Sequence, residues 1–180
     1  MIRAFLALAL PETVLSALRV QQFLLPLPKR VEPDAFHLTL VFLGEQPEHI
    51  LEAAHERFET VRMAPFDLSL KGLGLFGGSK PRAAWAGVAP SEPLMRLQAK
   101  LEQAARQAGI AVEARKFTPH VTLGRFSQLG PEEQIKLERG IAQGMGFGTE
   151  PFTVTDFRLY RSTLTSHGSV YDELVRYSLT

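Results

Sequence analysis

Two short stretches of the chain carry the same pair of reactive side chains. "FHLTLVFLG" covers residues 36–44 and "PHVTLGRF" covers residues 119–126, and each contains His-x-Thr-Leu within an apolar run of strand character. Side chains at i and i+2 of a strand share a face and lie roughly 6.5–7 Å apart. His37 and Thr39 therefore point one way, while Phe36, Leu38, Leu40 and Phe42 point the other. In the second copy His120 and Thr122 share a face, opposite Val121 and Leu123. Each strand thus offers a titratable base beside a hydroxyl, backed by a hydrophobic layer. Facing each other across a cleft, two such strands would bring two imidazoles and two hydroxyls to one small volume.

That set of groups suits a tetrahedral anion. An unperturbed imidazole titrates near 6.5, so one histidine can accept a proton and the other donate one close to neutral pH. The hydroxyls can donate hydrogen bonds to non-bridging oxygens. No metal is required when water is the nucleophile and the protein protonates the leaving oxygen. Neither histidine has a second histidine or a carboxylate at a familiar metal-ligand spacing. No metal and no cofactor are expected.

The elements that must position these groups can be read from periodicity. Residues 2–10 read as a strand and 11–25 as a helix with Pro11 at its start. Three prolines make 25–33 a loop. The first motif strand spans 36–43, and helical spacing of Ile50, Leu51, Ala54, Phe58 and Val61 predicts a helix over 47–63. One strand over 66–76 and its partner over 82–88 flank a turn-rich "GGSKP". Ser91 caps a helix to residue 108 that Gly109 stops. The second motif strand (118–126), a helix (131–143) and strands at 152–160 and 170–179 complete the chain. The order strand, helix, motif strand, helix, strand occurs twice. It predicts an α+β fold: two similar lobes of antiparallel sheet with outer helices, related by a pseudo-twofold duplication around a central cleft. We expect a single bilobal domain over 1–180, with lobes at 1–76 and 82–160 and a closing strand at 170–179.

Composition limits the partners. With 180 residues and 45% apolar content the chain can supply a real core. A net charge of +1 and a pI near 8.1 do not describe a polycation that grips long nucleic acid by charge alone, but they allow a local basic groove. There is no cysteine, hence no disulfide framework, thiolate nucleophile or cysteine-based zinc site. The first residues lack the pattern of a signal peptide, and no apolar run approaches the roughly 20 residues that span a bilayer. A monomer in the cytoplasm, without membrane attachment, is the expectation.

Other residues make weaker claims. Arg115 and Lys116 precede the second motif and Arg125 follows it, so Arg115 and Arg125 are candidate phosphate ligands. In a regular strand Arg125 would face away from His120, and its role requires a twist or a strand end. Lys80 and Arg82 border the turn-rich loop. "GLGLFGG" lacks the Lys-Ser/Thr and the helix of a phosphate loop. His49 and His55 are expected exposed on their helix, and His167 lies in a polar turn. Phe36, Phe126 and Tyr171 are the candidates for stacking a base.

With these motifs the chain resembles the two-histidine phosphoesterase superfamily, and within it the bacterial and archaeal RNA 2′,3′-cyclic phosphodiesterases, once called 2′-5′ RNA ligases. The similar stretches are "RAFLALALP", "FHLTLVFLGE", "PRAAW", "KFTPHVTLGRF" and "GSVYDEL". The resemblance implies a bilobal fold and metal-independent hydrolysis of RNA 2′,3′-cyclic phosphate ends, or cyclic nucleotides, to 2′-phosphates. With a 5′-hydroxyl in place of water it implies 2′-5′ ligation. It makes His37 the proton donor, His120 the proton acceptor, and Thr39 and Thr122 the phosphate-contacting hydroxyls. The donor and acceptor labels rest on the resemblance alone. Two rivals stay open at this point: a catalytically silent module that binds RNA ends, and a hydrolase that uses the histidines as metal ligands.

Overall fold

A computed structural model describes all of residues 1–180. Its first sheet has four strands in the order β2-β1-β8-β9, from Leu38–Gln46, Ile2–Leu8, Asp156–Thr165 and Gly168–Ser178. Its second has three, β4-β5-β6, from Leu70–Phe76, Ala83–Val88 and His120–Arg125. A two-stranded ribbon joins β3 (Phe66–Leu68) to β7 (Phe152–Val154). All pairings are antiparallel. The four helices are α1 (Glu12–Leu24), α2 (Glu48–Glu59), α3 (Glu92–Gln107) and α4 (Pro131–Gln143), and a single 3-10 turn covers Pro33–Ala35. Ser91 caps α3, its side chain accepting from the Leu94 amide at 3.2 Å.

The predicted strands at 66–76 and 152–160 are each two strands. Phe66, Leu68 and Leu70 are all buried, as the alternation predicts, but the chain changes partners at Ser69. Residues 66–68 pair with 152–154, whereas 70–76 pair with β5. The same change occurs at Thr155, after which β8 pairs with β1 over residues 158–161 and runs on to Thr165 with β9. The sequence halves 1–76 and 82–160 therefore do not coincide with the two sheets. Each half gives its fourth strand to the other's sheet, and β3 and β7 meet between them.

The helices are exchanged as well. Gln22 of α1 bonds the Leu123 carbonyl of β6, and Gln98 of α3 bonds the Leu40 carbonyl of β2. α2 lies beside α3 and holds Tyr177 of β9 through Phe58, while Leu73 of β4 packs at Gly144, the end of α4. One contiguous cluster of 37 buried residues lies behind both sheets, so neither sheet has a core of its own. Ala4, Leu6 and Leu8 of β1 belong to that core. Phe5 points to the opposite face, towards the rings of His37, Tyr160 and Tyr171.

Candidate active site

The opposite faces of the two sheets border an open cleft lined by Val31, Ala35, His37, Thr39, Phe42, His120, Thr122, Arg125 and Tyr171. Both histidines and both threonines of the motifs are among the lining residues. No carboxylate lines the cleft, and no cluster of three or more potential metal-ligating His, Cys, Asp or Glu side chains occurs in the molecule.

His37 sits just before β2 begins, and His120 is the first residue of β6. Their backbones provide the same anchor. His37 Nδ1 lies 2.6 Å from the Ala35 carbonyl and His120 Nδ1 lies 2.7 Å from the Thr118 carbonyl. A carbonyl can only accept, so each Nδ1 carries the proton and each neutral ring keeps its lone pair on Nε2. Thr39 Oγ1 donates to His37 Nε2 at 2.8 Å. Aromatic rings wall both imidazoles. Phe5 and Tyr171 stand 4.9 and 5.0 Å from His37, and Phe76 stands edge-on 4.8 Å from His120.

These surroundings depress both basicities. Burial lowers His37 to about 4, the Ala35 carbonyl working against it and the positive charge of Arg125 adding to it. Burial also pushes His120 below its ordinary value, opposed by the Thr118 carbonyl and aided by Arg125. In the free protein both rings are thus biased to the neutral form.

Arg125 reaches the cleft because β6 is not regular. Ala84 stands opposite Gly124 and Trp85 opposite Thr122, so Leu123 is one extra residue, a β-bulge. A bulge reverses the alternation beyond it. Arg125 therefore shares the face of Thr122 instead of the opposite one. The first motif has the same device. Leu6 stands opposite Val41 and Ala7 opposite Thr39, which makes Leu40 the extra residue. Phe42 is accordingly turned into the cleft, where it is 59% exposed; the regular alternation had assigned it to the buried face. Arg125 and Phe42 occupy equivalent positions of the two motifs, one cationic and one aromatic.

The remaining candidates divide plainly. Arg115 is exposed, pairs with Glu113 and does not line the cleft. Lys116, Lys80 and Arg82 are exposed outside it. Phe36 is buried in the core and Phe126 packs against the core, so of the three stacking candidates only Tyr171 lines the cleft. His49 and His167 are exposed. His55, expected exposed, is half-buried: its Nδ1 meets the Tyr177 hydroxyl at 2.8 Å and its Nε2 meets Glu59 at 3.3 Å. That network ties α2 to β9. Phe5, Phe76 and Val31 escaped the sequence reading, since only tertiary structure brings such apolar residues to a site.

Fold and site together define a class: a two-lobed α+β protein with paired histidine–threonine strands facing a shared cleft. Comparison with known proteins agrees. Residues 10–165 match the profile of the 2′-5′ RNA ligase superfamily. An RNA 2′,3′-cyclic phosphodiesterase of Thermus thermophilus is 34% identical, the match covering 98% of this chain and 90% of that protein. One from Archaeoglobus fulgidus is also 34% identical, over 81% of each chain. The crystal structure of E. coli LigT complexed with 3′-AMP superposes with a TM-score of 0.78 at 28% identity, covering 99% of this chain and 98% of that one. The chain belongs to the 2′-5′ RNA ligase superfamily. No helix in it is long and apolar enough to cross a membrane.

Proposed function

We propose that this protein hydrolyses RNA 2′,3′-cyclic phosphate ends to 2′-phosphates, with His120 as proton acceptor and His37 as proton donor and without a metal ion. The observation that carries the reading is the matched anchoring of the two rings. Both Nδ1 atoms are fixed to backbone carbonyls, which leaves both Nε2 atoms, His37's accepting from Thr39 at 2.8 Å, as the positions for proton transfer in a cleft that holds Arg125 and no carboxylate. The names of the relatives support the substrate class.

In the proposed step His120 Nε2 takes a proton from water as the water oxygen attacks phosphorus in line with the 3′ oxygen. The P–O3′ bond breaks and His37 Nε2–H gives its proton to that oxygen, leaving a 2′-phosphate and a 3′-hydroxyl. The rings end with exchanged charge states and reset by proton exchange with solvent. The substrate's phosphate anion favours the imidazolium that the free cleft disfavours. A depressed basicity makes charged His37 a ready donor to an alkoxide. Thr39, Thr122 and Arg125 hold the non-bridging oxygens, and Arg115 takes no part. With a 5′-hydroxyl in place of water the same step joins two RNA ends by a 2′-5′ linkage. In this proposal the working unit is a monomer in the cytoplasm.

The test is incubation with 2′,3′-cyclic nucleotides and a cyclic-phosphate-ended oligomer in EDTA, followed by product separation. The expected product is the 2′-phosphate at an undiminished rate. Activity that disappears in EDTA and returns with zinc or manganese overturns the metal-free reading. Binding without turnover identifies a silent RNA-end module.

A further inference from the structure

Val14, Leu18 and Gln22 fall at i, i+4 and i+8 of α1 and form its buried stripe. Gln22 is only 5% exposed and is the one buried polar side chain in the protein. Its amide nitrogen donates to the Val31 carbonyl at 2.6 Å and to the Leu123 carbonyl at 2.9 Å. Rotating the amide would set its oxygen against two carbonyls, so the orientation is fixed by its partners.

Both acceptors adjoin the cleft. Leu123 is the buried, bulged residue beyond which Arg125 turns inward, and Val31, which lines the cleft, lies beside it. A bulge leaves backbone groups outside the ladder, and a buried carbonyl needs a partner. The Leu123 carbonyl finds two, the Gln22 amide and the Val31 amide at 3.0 Å. Gly124, the next residue, admits the crossing segment: a Cβ there would lie 2.6 Å from the Lys29 carbonyl. The other motif repeats the arrangement, with Gln98 of α3 donating to the bulged Leu40 carbonyl at 3.4 Å.

We infer that Gln22 is a positioning residue for Arg125, holding the bulge after the second motif in the register that turns the guanidinium into the cleft. The inference rests on the proposed role of Arg125 as a phosphate ligand. It accounts for an amide where the stripe spacing calls for a leucine.

The experiment is a double-mutant cycle with Gln22→Met, which keeps the volume and removes both donors, and Arg125→Ala. Each variant is assayed for kcat/KM on 2′,3′-cyclic AMP and for affinity towards inorganic phosphate by calorimetry, with circular dichroism as the folding check. Gln22→Met alone should lower kcat/KM by about 10-fold or more and weaken phosphate binding. In the Arg125→Ala background the same change should cost less than about 2-fold, because the group it positions is gone. Gln22→Asn, too short to reach both carbonyls, should fall between and serves if the methionine variant does not fold. Gln98→Met acts at the other bulge, and its cost should be the same with or without Arg125. The inference fails if folded Gln22→Met keeps wild-type kcat/KM and phosphate affinity, or loses them equally in both backgrounds. The phosphate measurement needs no turnover, so an inactive wild-type protein would overturn the proposed reaction and leave this cycle decisive.

Discussion

Acidification should destabilise this protein through His37, and the size of the effect can be worked out. The ring is held neutral by burial, with a folded-state value of about 4 against an ordinary 6.5. The unfolded chain therefore binds a proton at His37 before the folded one does. Above about pH 6.5 the contribution is fully present. It shrinks as pH falls from 6.5 towards 4, and below that it changes no further. At about 1.4 kcal/mol per tenfold, that interval corresponds to about 3 kcal/mol, a large share of a domain's usual 5–15 kcal/mol. His120 is displaced in the same direction and adds to the slope. The assay is urea unfolding at pH 7.5, 6.5, 5.5 and 4.5, followed by the fluorescence of Trp85, the only tryptophan. His37→Asn keeps a donor for the Ala35 carbonyl and removes the titrating ring, so it should lose about 2 to 3 kcal/mol less than wild type across this range, which stops short of the full effect. Inorganic phosphate, which favours the charged rings, should flatten the wild-type curve. Parallel loss of stability in wild type and His37→Asn would refute the account, because the acid sensitivity would then come from carboxylates elsewhere.

Three further outcomes can be checked by kinetics and unfolding. Replacing His37 or His120 by Ala should lower kcat/KM by on the order of 10²–10⁴-fold, and removing both should cost far less than the product of the single losses, since the pair acts as a unit. Thr39→Ala and Thr122→Ala should each cost about 10- to 150-fold, the worth of one hydrogen bond to a charged group at about 1.5–3 kcal/mol; full kcat/KM in either variant removes that hydroxyl from the phosphate site. Gly74→Ala should destabilise by about 1–3 kcal/mol, because its methyl would lie 2.2 Å from Trp85 Cζ2, and adding Trp85→Phe should recover part of the loss. Trp85 Nε1 has no hydrogen-bond partner among the protein's own groups, so the phenylalanine breaks no hydrogen bond within the chain.

The motifs, the element order and the duplication were legible because each rests on local periodicity. His-x-Thr in a strand fixes which side chains travel together, and two copies in like positions require a shared cleft. Partner choice was not legible. Nothing in "FDLSLKGLGLF" marks Ser69 as the point where the chain leaves one sheet for another, because both segments alternate equally well. The bulges were hidden for a related reason. Leu40 and Leu123 look like ordinary inward residues, and their insertion is a property of the pairing with β1 and β5. Arg125 and Phe42 were consequently assigned by a regular alternation that tertiary structure breaks. A buried glutamine at stripe spacing was the one local trace of the bulge, and it becomes readable only when its carbonyl partners are known.

The bulges also bear on how a duplicated fold could run the proposed, asymmetric reaction. Two identical halves would present two equivalent imidazoles, with no reason for one to donate and the other to accept. Backbone equivalence persists here: both Nδ1 anchors, both bulges and both glutamine contacts are repeated. The side chains at matched positions differ. Arg125 answers Phe42, and the row Thr122–Trp85–Gly74 answers Thr39–Ala7–Arg158. In one sheet the bulk is in the central strand and in the other it is in the flanking strand, so each row is filled with a different shape. The positive charge is on the Arg125 side of the cleft, where the proposed reaction would place the phosphate, and Phe42 adds an aromatic surface to the lining. In the proposed reaction a phosphate that carries a nucleoside would have one orientation that satisfies both, and in that orientation the two histidines would meet different oxygens. On the proposed reaction the scaffold supplies the pair of rings, and the residue two positions beyond each bulged leucine, Arg125 or Phe42, would decide which ring meets which end of the substrate.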